Sequence, residues 1–257
     1  MPVQTDLARL SVNQFRDRIG SGMLPLSSHF SYFVASVPLG EEELRDYLGD
    51  PIAALPPSLI QLLPNVSLIL APFLEKTNGK VKSGGADLIC FERPAEGKAL
   101  RSLLWLQRDN AVAAFGIQDI PMADYHHELF HQLASLTGQV YKDKALVTFH
   151  EVLREELIQR VHGEVDENSW QHKQALMCRP ASAKRDSKAF VEYARDSFVD
   201  TLTLYLHGLC CDIDVEPGPR QLPSKYLRRR LHTLKQMFPP PAGYALFPED
   251  REPEKDA

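Results

Sequence analysis

The chain has 257 residues, 44% of them hydrophobic and 25% charged, enough to bury a sizeable core and too ordinary for wholesale disorder. A formal net charge of −5 and a pI near 6.0 leave no overall basic footprint, which argues against nucleic acid as a main partner. The four cysteines (Cys90, Cys178, Cys210, Cys211) form no C-x-x-C pair and read as buried or free thiols of a reduced compartment.

The stretch from Met1 lacks the basic and apolar regions of a secretory signal. The most apolar window, residues 59–74, is interrupted by Pro64 and Asn65 and is too short to span a bilayer. The expectation is a chain with no membrane partner that is cytoplasmic, or exported by a non-Sec route.

Residues 6–19 carry helically spaced Leu7, Leu10, Val12 and Phe15, residues 41–48 predict a short helix, and 51–64 a punctuated connector. This makes residues 1–65 an N-terminal helical segment. Four strand candidates follow at 66–73, 86–91, 100–106 and 111–117. The turn signals between them are Asn78-Gly79, Gly84-Gly85, 94–97 and Asp109-Asn110, the last predicting a hairpin. Together they predict a small, mostly antiparallel sheet.

From Asp124 the pattern is helical. Asp124 is placed to cap a helix that Gly138 stops, and 148–161 predicts a second helix before Gly163. Residues 164–187 are polar and read as a long loop. A third helix spans about 187–207, ending at Gly208, and a basic helix spans 224–237. The tail 248–257 is charged and expected to be disordered. Helices, then sheet, then helices make the fold class α+β.

The segment His127-Glu128-Leu129-Phe130-His131 is an H-E-x-x-H motif. On a helix its two histidines, four apart, share one face and can bind one zinc ion, Zn2+. Glu128 can then serve as general base toward a zinc-activated water. A catalytic zinc needs a third protein ligand, and the third helix offers Glu192, Asp196, Asp200 and His207. Asp196, Asp200, Thr203 and His207 fall on one face of it.

The segment from Tyr193 to Leu206, taken with the H-E-x-x-H helix, resembles the anthrax lethal factor-like zinc peptidases and related bacterial zincins. Their downstream helix carries an F-A-E-x-F-A-x-Y type pattern. The resemblance implies a zincin-like domain over residues 66–247, with the third zinc ligand at Asp200 and an oxyanion-stabilising tyrosine at Tyr193, seven earlier. Aspartate replaces the family's glutamate, so that helix has to approach the metal more closely. A second alignment makes Glu192 the ligand and Asp196 the orienting carboxylate, in the E-x-x-x-D pattern of other zincins.

His126 points about 100° away from His127 and reads as outside the ligand set. His150-Glu151 has no second histidine four residues on and reads as structural. His207 reads as a helix-end histidine, Arg228-Arg229-Arg230 as a solvated face, and Cys210-Cys211 as buried thiols. The implied function is zinc-dependent hydrolysis of a peptide or protein substrate, bound in extended form along a sheet edge. The alternatives are a catalytically inactive zinc-binding scaffold and an interaction protein without metal.

Overall fold

The computed structural model describes residues 9–77, 87–141, 146–178, 186–211 and 220–250. The architecture is α+β, and the chain divides into two compact units. The first comprises Met1–Ala53 with Leu63–Gln132, and the second Ala54–Leu62 with Leu133–Ala257. No helix among the described residues is long and apolar enough to cross a membrane.

The first unit is built on a five-stranded sheet. Its strands, in spatial order, are β2 (Leu24–Pro25), β3 (Phe30–Val34), β4 (Asn65–Ala71), β9 (Asn110–Gly116) and β8 (Ser102–Gln107). The inner pairs β3–β4 and β4–β9 are parallel, while β2–β3 and β8–β9 are antiparallel. The sheet is therefore mixed, where the turn signals alone predicted a mostly antiparallel one. The expected hairpin forms, with Gln107 opposite Asn110 and Arg108 in the left-handed region at φ 44°.

A smaller antiparallel sheet is formed by β1 (Leu10–Ser11), β6 (Leu88–Cys90), β5 (Phe73–Glu75) and β7 (Ala99–Leu100), of which β5, β6 and β7 stand between β4 and β8 in the chain. That excursion lets β9 return beside β4 in the same direction. The Asn78-Gly79 and Gly84-Gly85 turns and the first residues of the 6–19 helix lie outside the described residues.

β4 and β9 are buried on both faces, which is why they read as unbroken apolar runs. On one face Ile69, Ala71, Val112 and Ala114 pack with Val12, Phe15 and Ile19 of α1 (Val12–Ile19). Ser11 caps α1, and Gln14 returns the bond to the Ser11 amide at 3.1 Å. On the other face Phe115 meets Tyr125 edge-on, with ring centroids 5.4 Å apart. The strand Phe30–Val34 belongs to the stretch expected to be helical, so residues 1–65 share a sheet with the residues that follow. Its Phe-Ser-Tyr-Phe-Val composition is the β-former signal that could have found it.

Short helical turns α2 (Glu41–Leu44) and α3 (Asp50–Ala53) flank a π turn at Arg45–Gly49, and α4 is Pro57–Ile60. The long helix α5 (Met122–Val140) begins in the first unit and ends in the second. It starts two residues before Asp124 and runs through Gly138 rather than stopping there. A Cβ on Gly138 would lie 3.2 Å from Val199 Cγ2, so glycine here answers a close helix approach.

The second unit is helical. It holds α6 (Val147–Ile158), α7 (Glu167–Met177), α8 (Lys188–Cys210) and α9 (Ser224–Met237). Phe149 of α6 and Phe198 of α8 meet edge-on at 5.5 Å in its core, and the Tyr205 hydroxyl donates to the Phe238 carbonyl at 2.5 Å. α7 lies where a long loop was expected. Asp166 caps it, but its inward stripe is Ser169, Lys173 and Leu176, mostly polar, so hydrophobic periodicity could not reveal it.

Gly163, at φ 87°, holds the chain against residue 221, where a Cβ would fall 2.0 Å from the Gln221 carbonyl oxygen. No other residue fits that approach. Residues 248–250, expected to be part of a disordered tail, form a turn, and Asp250 pairs with Lys235 of α9 at 2.7 Å.

Candidate metal centre

The H-E-x-x-H segment lies within α5, as its spacing predicts. The rings of His127 and His131 stack on one face with centroids 6.3 Å apart and planes 16° from parallel. His127 is exposed, and His131 and Glu128 are half-buried. The neighbouring His126 is buried instead, with Nε2 2.9 Å from the Asp46 carbonyl and its ring tilted against Tyr125 and Phe130. Tyr125 is enclosed as well and donates to the Tyr47 carbonyl at 3.0 Å. Burial and the nearby Tyr47 push the Tyr125 phenol well above its ordinary pKa.

Glu128 belongs to an adjoining stripe of α5, Asp124, Glu128 and Gln132, each four residues apart. All three engage the head of β8. Asp124 pairs with Arg101 at 3.1 Å, Glu128 Oε2 accepts from the Ser102 hydroxyl, and the Gln132 amide donates to Ser102 Oγ at 2.8 Å. The Gly116 amide donates to the Arg101 carbonyl at 2.9 Å, tying that head to β9. β8 ends the order of the five-stranded sheet, so its outer edge carries no further strand among the described residues. Sequence reasoning picked out Glu128 and not Ser102 or Gln132, because no motif spacing links a strand to a helix thirty residues on.

The remaining expected site residues lie on α8, in the second unit. Asp200 is half-buried, and its Oδ2 is enclosed without a hydrogen-bond partner. Burial pushes its carboxyl up to about 7, opposed by a hydrogen bond from Ser169 and reinforced by the carboxylates of Asp166, Asp196 and Glu164. Asp196 lies 2.8 Å from His172 Nδ1 and also meets Arg195. Glu192 is 45% exposed and faces Lys188 at 3.8 Å, an i, i+4 surface pair.

Tyr193 is fully buried. Its hydroxyl donates to Glu164 Oε1 at 2.6 Å, inside an ion cluster of Glu156, Glu164, Lys173 and Arg230. Arg230 donates Nε to Glu156 at 3.1 Å and Nη1 to Glu164 at 2.7 Å, and Lys173 reaches Glu164 at 3.0 Å. Two carboxylates and two cations cancel, which is the condition for burying them together. Burial alone would raise the Glu164 carboxyl, but Arg230, Lys173 and Tyr193 hold it down at about 2. Burial followed by the Glu164 charge pushes the Tyr193 phenol well above its usual range. Arg230, expected on a solvated face, is thus fully enclosed, and only the tertiary pairing explains it.

Compared with family models, curated proteins and solved structures, the chain gives no match.

Proposed function

We propose that this chain is a zinc-dependent metallopeptidase that uses His127 and His131 as metal ligands and Glu128 as general base. The observation that carries the reading is the pair of adjoining stripes on α5. One presents two near-parallel imidazoles, and the other anchors a carboxylate to the head of an edge strand. Two imidazoles four residues apart on an accessible helix face fit a zinc donor set. A bound zinc ion supplies Lewis-acid polarisation of a carbonyl oxygen and makes a water acidic enough to ionise near neutral pH.

The protein's own groups do the rest. Glu128 Oε2 is occupied by Ser102, which leaves Oε1 to take the proton of the attacking water and pass it to the leaving nitrogen. The outer edge of β8 offers backbone groups to an extended peptide, which would add to the sheet beside Glu128. The third ligand in this reading is Asp200, assigned by resemblance. Glu192, already paired at the surface, is the less suited candidate.

A second reading, a zinc-binding scaffold without peptidase activity, is favoured by one observation. The Tyr193 hydroxyl is committed to Glu164, so it can serve an oxyanion only by giving up that partner. The test is zinc content by elemental analysis on the wild type, His131→Ala and Asp200→Ala, then hydrolysis of a peptide library by the wild type and Glu128→Gln. About one zinc per chain, lost in both ligand variants, with hydrolysis lost in Glu128→Gln, is the expected result. Zinc without hydrolysis selects the scaffold. Absence of zinc even after reloading overturns both readings.

A further inference from the structure

A general base is useful only if its carboxylate is held where the proton is released, and a displacement of about 1 Å can cost on the order of a hundredfold in rate. Glu128 is half-buried on a helix face beside the start of β8. Its side chain has several rotatable bonds, so something outside α5 has to select one rotamer. The contact that does so is the Ser102 hydroxyl.

The direction of that bond follows from its neighbour. A serine hydroxyl has one proton and two lone pairs. The Gln132 amide donates into Ser102 Oγ at 2.8 Å, taking up an acceptor position. The single serine proton is then directed to Glu128 Oε2, in the order Gln132 to Ser102 to Glu128. We propose that Ser102, oriented by Gln132, is a positioning residue that fixes the Glu128 carboxylate for proton transfer. This rests on Glu128 being the general base of a zinc peptidase. It goes further in giving the head of the edge strand a part in catalysis as well as in holding substrate.

The geometry also explains why the helix needs Asp124. Arg101–Asp124 and Ser102–Gln132 bracket the Ser102–Glu128 bond one turn to either side, so α5 cannot slide along β8 without breaking all three. The carboxylate is registered against the strand by neighbours on both sides.

The test has two arms. In the first, zinc-loaded wild type, Ser102→Ala, Ser102→Thr and Gln132→Leu are compared for zinc content, kcat and KM on a quenched fluorescent peptide library. In the second, urea unfolding of metal-free wild type, Ser102→Ala, Glu128→Ala and the double variant completes a cycle. A bond to a charged group predicts a loss in kcat of roughly 10- to 100-fold for Ser102→Ala, with KM and zinc content unchanged. Ser102→Thr, which keeps the hydroxyl, recovers most of the rate, and Gln132→Leu loses rate in the same direction. The unfolding cycle is expected to be non-additive.

An additive cycle, or a rate loss that threonine does not recover, overturns the positioning role while leaving the peptidase reading intact. A non-additive cycle in the metal-free protein, together with a zinc-loaded wild type that cleaves no peptide, overturns the peptidase reading and the positioning role with it.

Discussion

Tyr193 and Glu164, twenty-nine residues apart in the chain, are joined by a 2.6 Å hydrogen bond that lies entirely out of solvent. It ties α8 to the segment after Gly163, where Arg230 and Lys173 also converge. Tyr193→Phe therefore removes a buried donor to a charged acceptor. The expected cost is about 1–3 kcal/mol of stability in urea unfolding. If Tyr193 also served an oxyanion, kcat per folded molecule would fall as well. An unchanged kcat would leave it a purely structural partner of Glu164.

Arg230 is the larger commitment. Arg230→Met leaves Glu156 and Glu164 enclosed with only Lys173 between them. Stranding a buried charge destabilises by about 3–5 kcal/mol. The variant should unfold at markedly lower denaturant or fail to accumulate. Near-wild-type thermal stability would contradict the ion cluster.

The same cluster sets an acid limit. The Glu164 carboxyl is held at about 2 in the fold, against an ordinary value of 4.5. A depressed native pKa contributes stability that is fully present above the unfolded value and is lost as pH falls toward the folded one. Stability measured by urea midpoint should therefore decline between about pH 4.5 and 2. Glu164→Gln should flatten that part of the curve, and an unchanged slope would show that other carboxyls dominate.

Gly163 is where the chain has no steric latitude. At φ 87°, with the Gln221 carbonyl 2.0 Å from where a Cβ would stand, Gly163→Ala has to move backbone. A loss exceeding the usual 1 kcal/mol or so for a strained turn is expected, because the displaced segment carries Glu164. Calorimetry giving a midpoint equal to wild type would show that residues 163 and 221 can separate freely.

Metal ligation supplies the most direct check. His127→Ala and His131→Ala should each lower zinc affinity by more than the roughly 10- to 100-fold cost of losing an outer partner. Competition with a chromogenic chelator measures this directly. Equal affinity in either variant would remove that histidine from the ligand set.

Much of the chain is legible in the sequence where local rules act alone. H-E-x-x-H lies on a helix because its flanks are apolar at helical spacing, and Asp109-Asn110 opens a hairpin because turn chemistry acts between neighbours. β3 has strand-favouring residues, but it is a single five-residue run whose place in the sheet is set by parallel pairing with β4, a contact far away in the chain. Ser102 and Gln132 carried no signal, because their meaning is a contact between a strand and a helix.

What the sequence by itself determined is the chemistry of the candidate centre: two imidazoles and a carboxylate on successive turns of one helix, spaced by the 3.6-residue period. Fold class and the apolar runs of β4 and β9 follow similarly from local pattern. Only the tertiary structure decided which polar groups are inside. Arg230, Lys173, Glu156 and Glu164 look like surface charges one at a time. They are buried because each desolvation penalty is offset by partners far away in the chain, a balance that no local window contains.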